Sequence, residues 1–169
     1  MAINAQILKS LIQSELSQVS DQHILARIRE LLVEPEIVLR NWDYGKPGQK
    51  YPCWTVLKDD TSETGTCYCE FGFGPRCRWG LVWLDDEHMS MDCDWFPSFL
   101  DAFFDSFAST DLPIWRVFKK DSSGVRQAIT DESSWDETWK RVYEVRESDP
   151  NSRYDCDHNI VLNGNRQGK

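Results

Sequence analysis

The chain has 169 residues, with 28 acidic and 19 basic side chains, so its formal net charge is −9 at neutral pH. This length suits one domain with a packed core, and a hydrophobic fraction of 40% argues against a disordered chain. A negative field of this size repels phosphate backbones, which argues against a nucleic-acid partner and favours encounter with a basic protein. Alternatively, the negative charge only keeps the protein soluble and has no role in binding a partner.

Two amphipathic helices are predicted at the start of the chain. Residues 3–17 place Ile and Leu side chains on one helical stripe, and Asp21 or Ser20 suits the N-cap of a second helix. Pro35 is expected to end that second helix, because the residue before a proline is disfavoured in the α region. The short joint between them predicts an antiparallel helical hairpin.

The residues of the first predicted helix also indicate the cellular compartment. Polar residues interrupt it, so it does not resemble the continuous apolar core of a secretory leader, and no run reaches the length of a membrane span. We therefore expect a cytoplasmic protein without a membrane contact. In that compartment the six cysteines would stay reduced thiols.

Four strands are predicted next, at residues 37–42, 51–58, 66–71 and 79–84, with Gly, Pro and Asp-rich turns between them. Short connections and alternating side chains favour an antiparallel meander with helices on one face. A Phe-rich helix is predicted at 99–107.

The last third of the chain predicts a hairpin and a helix. Residues 114–118 and 125–129 flank a polar turn, and a helix follows from Trp135. After Pro150 the chain becomes polar. The sequence therefore predicts a single α+β domain over 1–150 with an antiparallel sheet of about five to six strands, and a polar tail over 151–169.

Most catalytic motifs are absent from the sequence. There is no phosphate-binding glycine loop, no paired-histidine metalloprotease helix and no serine-nucleophile elbow, so we predict no catalytic residues, no cofactor and no enzyme activity. The alternative is a small zinc- or thiol-dependent enzyme. Candidate ligands are three cysteines close in sequence, with a fourth ligand from elsewhere: Cys67, Cys69 and Cys77, then Cys93, His88, Cys156 or His158. Only one tight Cys pair is present, and Cys67 and Cys69 equally suit a core.

Two stretches suit protein recognition. Residues 85–94 form an acidic segment that runs into two aromatic residues, and a second acidic–aromatic stretch follows the first predicted strand. Acidic groups can steer a basic partner while exposed aromatic rings anchor it. The candidate partner-binding residues are Asp85, Asp86, Glu87, Asp92, Asp94, Trp95, Trp42 and Tyr44. Alternatively, Trp95 and Phe96 only staple the helix that follows them.

A resemblance adds to this interpretation. Residues 71–83, which include Gly72, Gly74 and Pro75, together with Trp95, Phe96 and the helix at 99–107, resemble small bacterial immunity proteins of polymorphic-toxin systems. These are acidic cytosolic α+β proteins that bind and neutralise a cognate toxin domain. The resemblance covers about a third of the chain and brings no catalytic residues.

The resemblance implies that inhibition comes from covering the toxin's active site. The carboxylates of the acidic segment would then stand in for an anionic substrate such as nucleic acid. It also implies a monomer or homodimer that binds one basic partner. An adaptor domain whose partner is not a toxin stays open as a further interpretation.

Overall fold

A computed structural model describes residues 2–71, 76–89 and 94–158 of the chain. These residues form four α-helices and two antiparallel sheets, which confirms the predicted α+β class and the two helices that precede the sheet. The chain packs as two compact units, residues 1–109 and 110–169. None of the described helices is both long enough and apolar enough to cross a lipid bilayer.

Three helices belong to the first unit: α1 (Ala5–Leu16), α2 (Gln22–Leu31) and α3 (Phe99–Asp105). Each begins at a polar N-cap whose side chain accepts backbone N–H groups, namely Asn4, Asp21 and Ser98. The apolar stripe of each helix supplies its buried face, as the spacing predicts.

Pro35 does not end α2, contrary to the prediction. The helix ends at Leu31, and Pro35 lies inside the next strand, where the register shifts between Leu32 and Glu36. A strand irregularity of this kind tolerates a proline, because no ladder hydrogen bond is required there.

The first unit contains a five-stranded sheet in the simple sequential order of a meander. Its strands are β1 (Leu32–Asn41), β2 (Lys50–Asp59), β3 (Thr64–Tyr68), β4 (Trp79–Trp83) and β5 (Trp95–Phe96). All four neighbouring pairs are antiparallel. The four strands predicted from the sequence are confirmed, and β5 adds a short fifth. Residues 72–75, which carry part of the immunity-protein resemblance, lie outside the described residues.

Both faces of this sheet are buried at its centre, since every residue of β3 is buried. On one face, Trp79 meets Tyr68 and the α3 residue Phe99 in edge-on ring contacts at 5.1 and 5.4 Å. On the other face lies a second cluster: Tyr51, Cys53, Cys67, Cys69, Val82, Met89 and Trp95. Met89, after β4, and Trp95, in β5, therefore cover part of the face that the helices leave.

The second unit contains a three-stranded sheet and one helix. Its elements are β6 (Trp115–Lys120), β7 (Arg126–Ala128), α4 (Trp135–Ser148) and β8 (Arg153–His158), with strand order β7-β6-β8. The predicted hairpin and last helix are confirmed. Val117, Val142 and Tyr154 form the buried core. One domain over 1–150 stays a prediction, but residues 153–158 of the predicted tail form a strand on β6.

Candidate protein-binding surface

The main chain of Asn41 joins two stretches that the sequence presents separately. Asn41 ends β1, and its N–H donates to the carbonyl oxygen of Glu87 at 2.7 Å. Its own carbonyl accepts from the N–H of Met89 at 2.8 Å, which makes a parallel bridge between Asn41 and His88. The acidic segment and the stretch from Trp42 to Tyr44 are therefore neighbours in space. We call Trp42, Tyr44, Asp85, Asp86 and Glu87 the acidic–aromatic surface.

A buried arginine holds the acidic segment from below. The Arg40 side chain is only 1% exposed, and its Nη1 donates to the carbonyl oxygens of Trp83 at 3.0 Å, of His88 at 3.3 Å and of Asp86. Within the described chain its Nε has no hydrogen-bond partner. Since three carbonyls of one loop converge on one cation, the path of residues 83–88 is fixed by main-chain contacts.

The side chains of the segment are consequently left to solvent, and residues 85–88 are all exposed. Glu87 accepts from Lys50 Nζ at 2.7 Å, and this bond together with the lysine charge lowers the pKa of Glu87. Asp86 accepts from the His88 N–H at 2.9 Å, and hydrogen bonds from His88 lower its pKa too. Asp85 makes no hydrogen bond or ion pair with the described residues. Of the three carboxylates at residues 85–87, it therefore has the least neutralised charge.

Aromatic rings form a row beside these carboxylates. Tyr44 is 72% exposed and lies 6.4 Å from Trp42, which meets the buried Tyr51 edge-on at 5.6 Å. Tyr51 in turn lies 5.5 Å from Phe71, which is exposed. The loop fits closely on Tyr51, because a Cβ at Gly45 would lie 2.7 Å from that ring. Tyr44 therefore projects from a loop seated on the core.

Trp95 does not belong to this surface, and its prediction as an exposed anchor is wrong. The side chain is 6% exposed, and a Cβ added at Gly80 would lie 2.8 Å from its ring. The indole fills the space that the glycine leaves and packs in the core of the first sheet. Asp94, next to it, is half-buried. Asp92 lies outside the described residues.

Sequence patterns do not single out Arg40 or Asn41, although both organise the surface. The signal that could have found Arg40 is the alternation of side chains along β1, which places Arg40 on the same face as Val38. Arg40 pairs with Tyr51 and Val38 pairs with Cys53, so a cation stands in a row of side chains that face the core. The bridge from Asn41 to residues 87–89 has no local signal, because it joins positions more than forty residues apart.

The described cysteines behave as core side chains. Cys53, Cys67 and Cys69 are fully buried next to one another, and all described cysteines are free. Hydrogen bonding to Cys67, with burial, raises the pKa of Cys53, and hydrogen bonding to Cys53, with burial, raises the pKa of Cys69. In the second unit, burial raises the pKa of Cys156 to about 12. Protonated thiols are poor nucleophiles and poor metal ligands.

The described ranges contain no group of three or more His, Cys, Asp or Glu side chains arranged to hold a metal ion. Cys93, which the zinc and thiol alternatives use with His88, lies outside those ranges. No family model, curated protein or solved structure matches the chain.

Proposed function

We propose that this chain is a protein-binding module that engages a basic protein partner through the acidic–aromatic surface. The observation that carries the proposal is the Asn41 bridge, which sets the exposed carboxylates of residues 85–87 beside Trp42 and Tyr44. A net charge of −9 supports a partner of opposite sign.

Each part of the surface has a separate task in this proposal. The carboxylates speed the encounter with a basic protein, and Asp85 is available for a new ion pair because the described chain offers it no cation. Tyr44 supplies a large, exposed ring on a supported loop, which is the type of side chain that dominates binding energy at interfaces. Arg40 keeps the segment in place before the partner arrives, which lowers the ordering cost of association.

The specific form of the proposal is an immunity protein whose partner is a cognate toxin domain. The immunity-protein resemblance and the acidic charge support it. Asp85, Asp86 and Glu87 would cover a toxin active site that accepts an anionic substrate, which blocks the reaction without chemistry in this chain. A cytoplasmic location follows as part of the same proposal.

The test is to co-express the chain with the protein encoded by the adjacent gene and to measure growth, complex formation and association rate. A toxin partner predicts that growth is arrested by the neighbour alone and restored by this chain. The association rate constant is expected to fall about tenfold or more between 50 and 500 mM salt, because exposed charges are screened.

The matched variants are Asp85→Asn/Glu87→Gln on the surface and Asp136→Asn/Glu147→Gln on the exposed side of α4. Both pairs remove the same charge, but only the first is expected to slow association. Equal slowing in both would show that net charge alone drives the encounter. A neighbour that neither arrests growth nor binds would reject the immunity proposal, and a neighbour that binds without toxicity would favour an adaptor.

A further inference from the structure

We propose that the outer edge of β1 at Ile37 and Leu39 takes an extended, basic segment of the partner as a sixth strand of the first sheet. This inference rests on the proposed function and deepens it, since it names the main-chain contact through which the partner docks. Edge pairing of this kind gives affinity through backbone hydrogen bonds and specificity through alternate side chains.

The direction in which the backbone groups of Ile37 and Leu39 point follows from the hydrogen bonds of Asn41. Both its N–H and its carbonyl are bonded to residues 87 and 89, so they point away from β2. Backbone groups alternate sides along a strand, and the β1–β2 register is regular from Glu36 to Asn41. The N–H and carbonyl groups of Leu39 and Ile37 therefore point outward as well, and they make no hydrogen bond with any described residue.

Pro52 supports this assignment independently. It is the residue opposite Leu39 in the β1–β2 register, and it has no N–H to donate. A proline fits at a position that forms no ladder bond toward its neighbour. Leu39 and Pro52 are accordingly a pair without mutual hydrogen bonds, and the backbone groups of Leu39 remain for a strand on the other side.

The side chains at these two positions favour a covering strand. Ile37 is 52% exposed and Leu39 is 57% exposed, on the same face of the edge strand. Two large aliphatic side chains in an i, i+2 row suit the alternate apolar residues of an extended segment. The sequence predicts a strand here but not that its apolar face is exposed.

The rest of β1 is blocked in the manner of natural edge strands, which restricts the opening to a short window. Pro35 and the register shift occupy its start, and Glu34 and Glu36 form ion pairs with Lys9 and Lys58. The bridge to residues 87–89 occupies its end. With respect to the part of the chain that the structure describes, Ile37 and Leu39 are the positions of β1 that remain open, so the segment they accept is short.

The occupant is identified by charge. The carboxylates of residues 85–87 lie at one end of the window, and Asp85 has no cation partner among the described residues, whereas Glu34 and Glu36 at the other end are paired with Lys9 and Lys58. A second copy of this chain would bring the same acidic segment and a net charge of −9 to the contact, which repels. An extended segment that alternates aliphatic and basic residues is complementary to the apolar row and to its acidic end.

The first measurement uses a synthetic nonapeptide of alternating Lys and Val with the full-length chain. In the free protein, amide hydrogen exchange is expected to be fast at Ile37 and Leu39 and slow at Val38 and Arg40. On peptide binding, protection is expected to rise at least tenfold at Ile37 and Leu39. Slow exchange at both in the free chain, or binding that maps to other residues, would overturn the proposal.

Two versions of the peptide, N-methylated on alternate amides in opposite phases, test the hydrogen-bond pattern directly. Strand pairing predicts that one phase loses binding more than tenfold and the other keeps it, because only alternate amides face β1. Equal affinity for both phases would overturn the proposal. This comparison leaves the protein unchanged, so it does not depend on a variant that folds.

The variant test uses Leu39→Pro, which removes an outward N–H but also fixes φ and shortens the apolar side chain. Leu39→Val is the control for the change of side chain, and the melting temperatures of both variants show whether the sheet is kept. Loss of peptide and partner binding in Leu39→Pro alone is the expected result. If the neighbouring gene product binds Leu39→Pro normally but fails with Asp85→Asn/Glu87→Gln, the edge proposal is wrong and the proposed function stands. If neither variant weakens that complex, both proposals fail.

Discussion

The two units of the chain differ in how deeply they bury a cation. The first buries Arg40, whose Nη1 donates to three main-chain carbonyls, and it also carries surface ion pairs such as Lys9–Glu34 and Lys58–Glu36. The second holds cations near the surface, where several of them face a carboxylate: Arg116–Glu132, Lys119–Asp149, Lys120–Asp155 and Arg126–Asp157. Changes at Arg40 should therefore act through packing and main-chain contacts, whereas changes at the ion pairs of the second unit should respond to salt and pH.

The sheets differ in the same sense. The centre of the five-stranded sheet is buried on both faces, and its β3 has no exposed residue. In the three-stranded sheet, β7 has two exposed residues and one half-buried residue, and β6 is half-buried at its last two positions. A small core supplies less hydrophobic stabilisation, so packing contributes less to the second unit than to the first.

The largest effect is expected from Phe99→Ala. The ring is fully buried against Trp79, and its removal leaves a cavity that costs about 3–5 kcal/mol of unfolding free energy. Urea denaturation measures this loss. Phe107→Ala is the control, because that ring is exposed and its loss should cost about 1 kcal/mol or less. Equal losses would contradict a packing-dominated first unit.

A smaller effect is expected from Arg40→Met, which keeps the aliphatic stem and leaves three loop carbonyls without their donor. Unfolding free energy should fall by about 2–3 kcal/mol, and hydrogen exchange should quicken at the Met89 N–H that bonds to Asn41. Arg29→Met, at an exposed site on α2, should change neither quantity. Unchanged exchange at Met89 in Arg40→Met would show that the arginine does not hold the segment.

Asp149→Asn tests the second unit. Asp149 accepts from Ser152 Oγ at 2.6 Å, Tyr154 OH at 2.9 Å and Lys119 Nζ at 2.9 Å, and these bonds hold its pKa far below the ordinary 3.8. Because the pKa of Asp149 is lower in the folded state than in the unfolded state, its carboxylate stabilises the folded state above pH 3.8. This stabilisation is lost as the pH falls below that value. The effect should be smaller than that of Arg40→Met, since the carboxylate is 40% exposed and water can replace its partners.

The measurement for Asp149→Asn is the melting temperature as a function of pH, with hydrogen exchange in β8 as a local report. Wild type should exceed the variant at neutral pH, and the two curves should converge as the pH falls through 3.8 and below. A constant gap across that range would show that Asp149 stabilises by packing and not by charge.

The smallest effect is expected from Glu15→Gln. Its dependence on pH should be opposite to that of Asp149→Asn, because the pKa of Glu15 is raised and that of Asp149 is lowered. Glu15 caps α3 from α1, with Oε2 accepting from the Leu100 N–H at 2.9 Å and Oε1 from the Phe99 N–H at 3.1 Å. Burial raises its pKa above the ordinary 4.5. Its protonated form is favoured by folding below pH 4.5, and this advantage is lost as pH rises through the folded pKa.

The glutamine variant should lie within about 1 kcal/mol of wild type near pH 4 and then gain on it as pH rises. Denaturant titrations at four or five pH values between 4 and 7 measure the trend. If wild type instead became more stable relative to the variant as the pH rises, the two N–H bonds would outweigh the cost of burial at this carboxylate.

The elements of the fold were predictable because each has a local pattern. Helix stripes, caps such as Asp21 and the alternation of β2 and β3 all report on neighbours within a few residues. The division of strands between two sheets was not predictable, since periodicity does not say which strands pair. The prediction for Pro35 is wrong because a proline that ends a helix and a proline at an irregular position of a strand have the same local sequence pattern.

The candidate surface was predictable in its residue types but not in its arrangement. Acidic residues beside aromatic ones drew attention to both stretches, yet only the contact of Asn41 with residues 87–89 unites them. Trp95 shows the opposite error. An aromatic ring that follows acidic residues has the same local sequence whether it faces solvent or core, and Gly80, which accommodates its indole, is fifteen positions away.

The buried thiols give the molecule its own reporters of opening. A thiol-modifying reagent cannot reach Cys53, Cys67 or Cys69 until the first unit opens, so their labelling rate measures how often that happens. Cys156 is half-buried on β8, so it should be labelled faster than these three and serves as the internal reference. Mass spectrometry of partly labelled chains would thus measure how often the first unit opens, with no engineered probe.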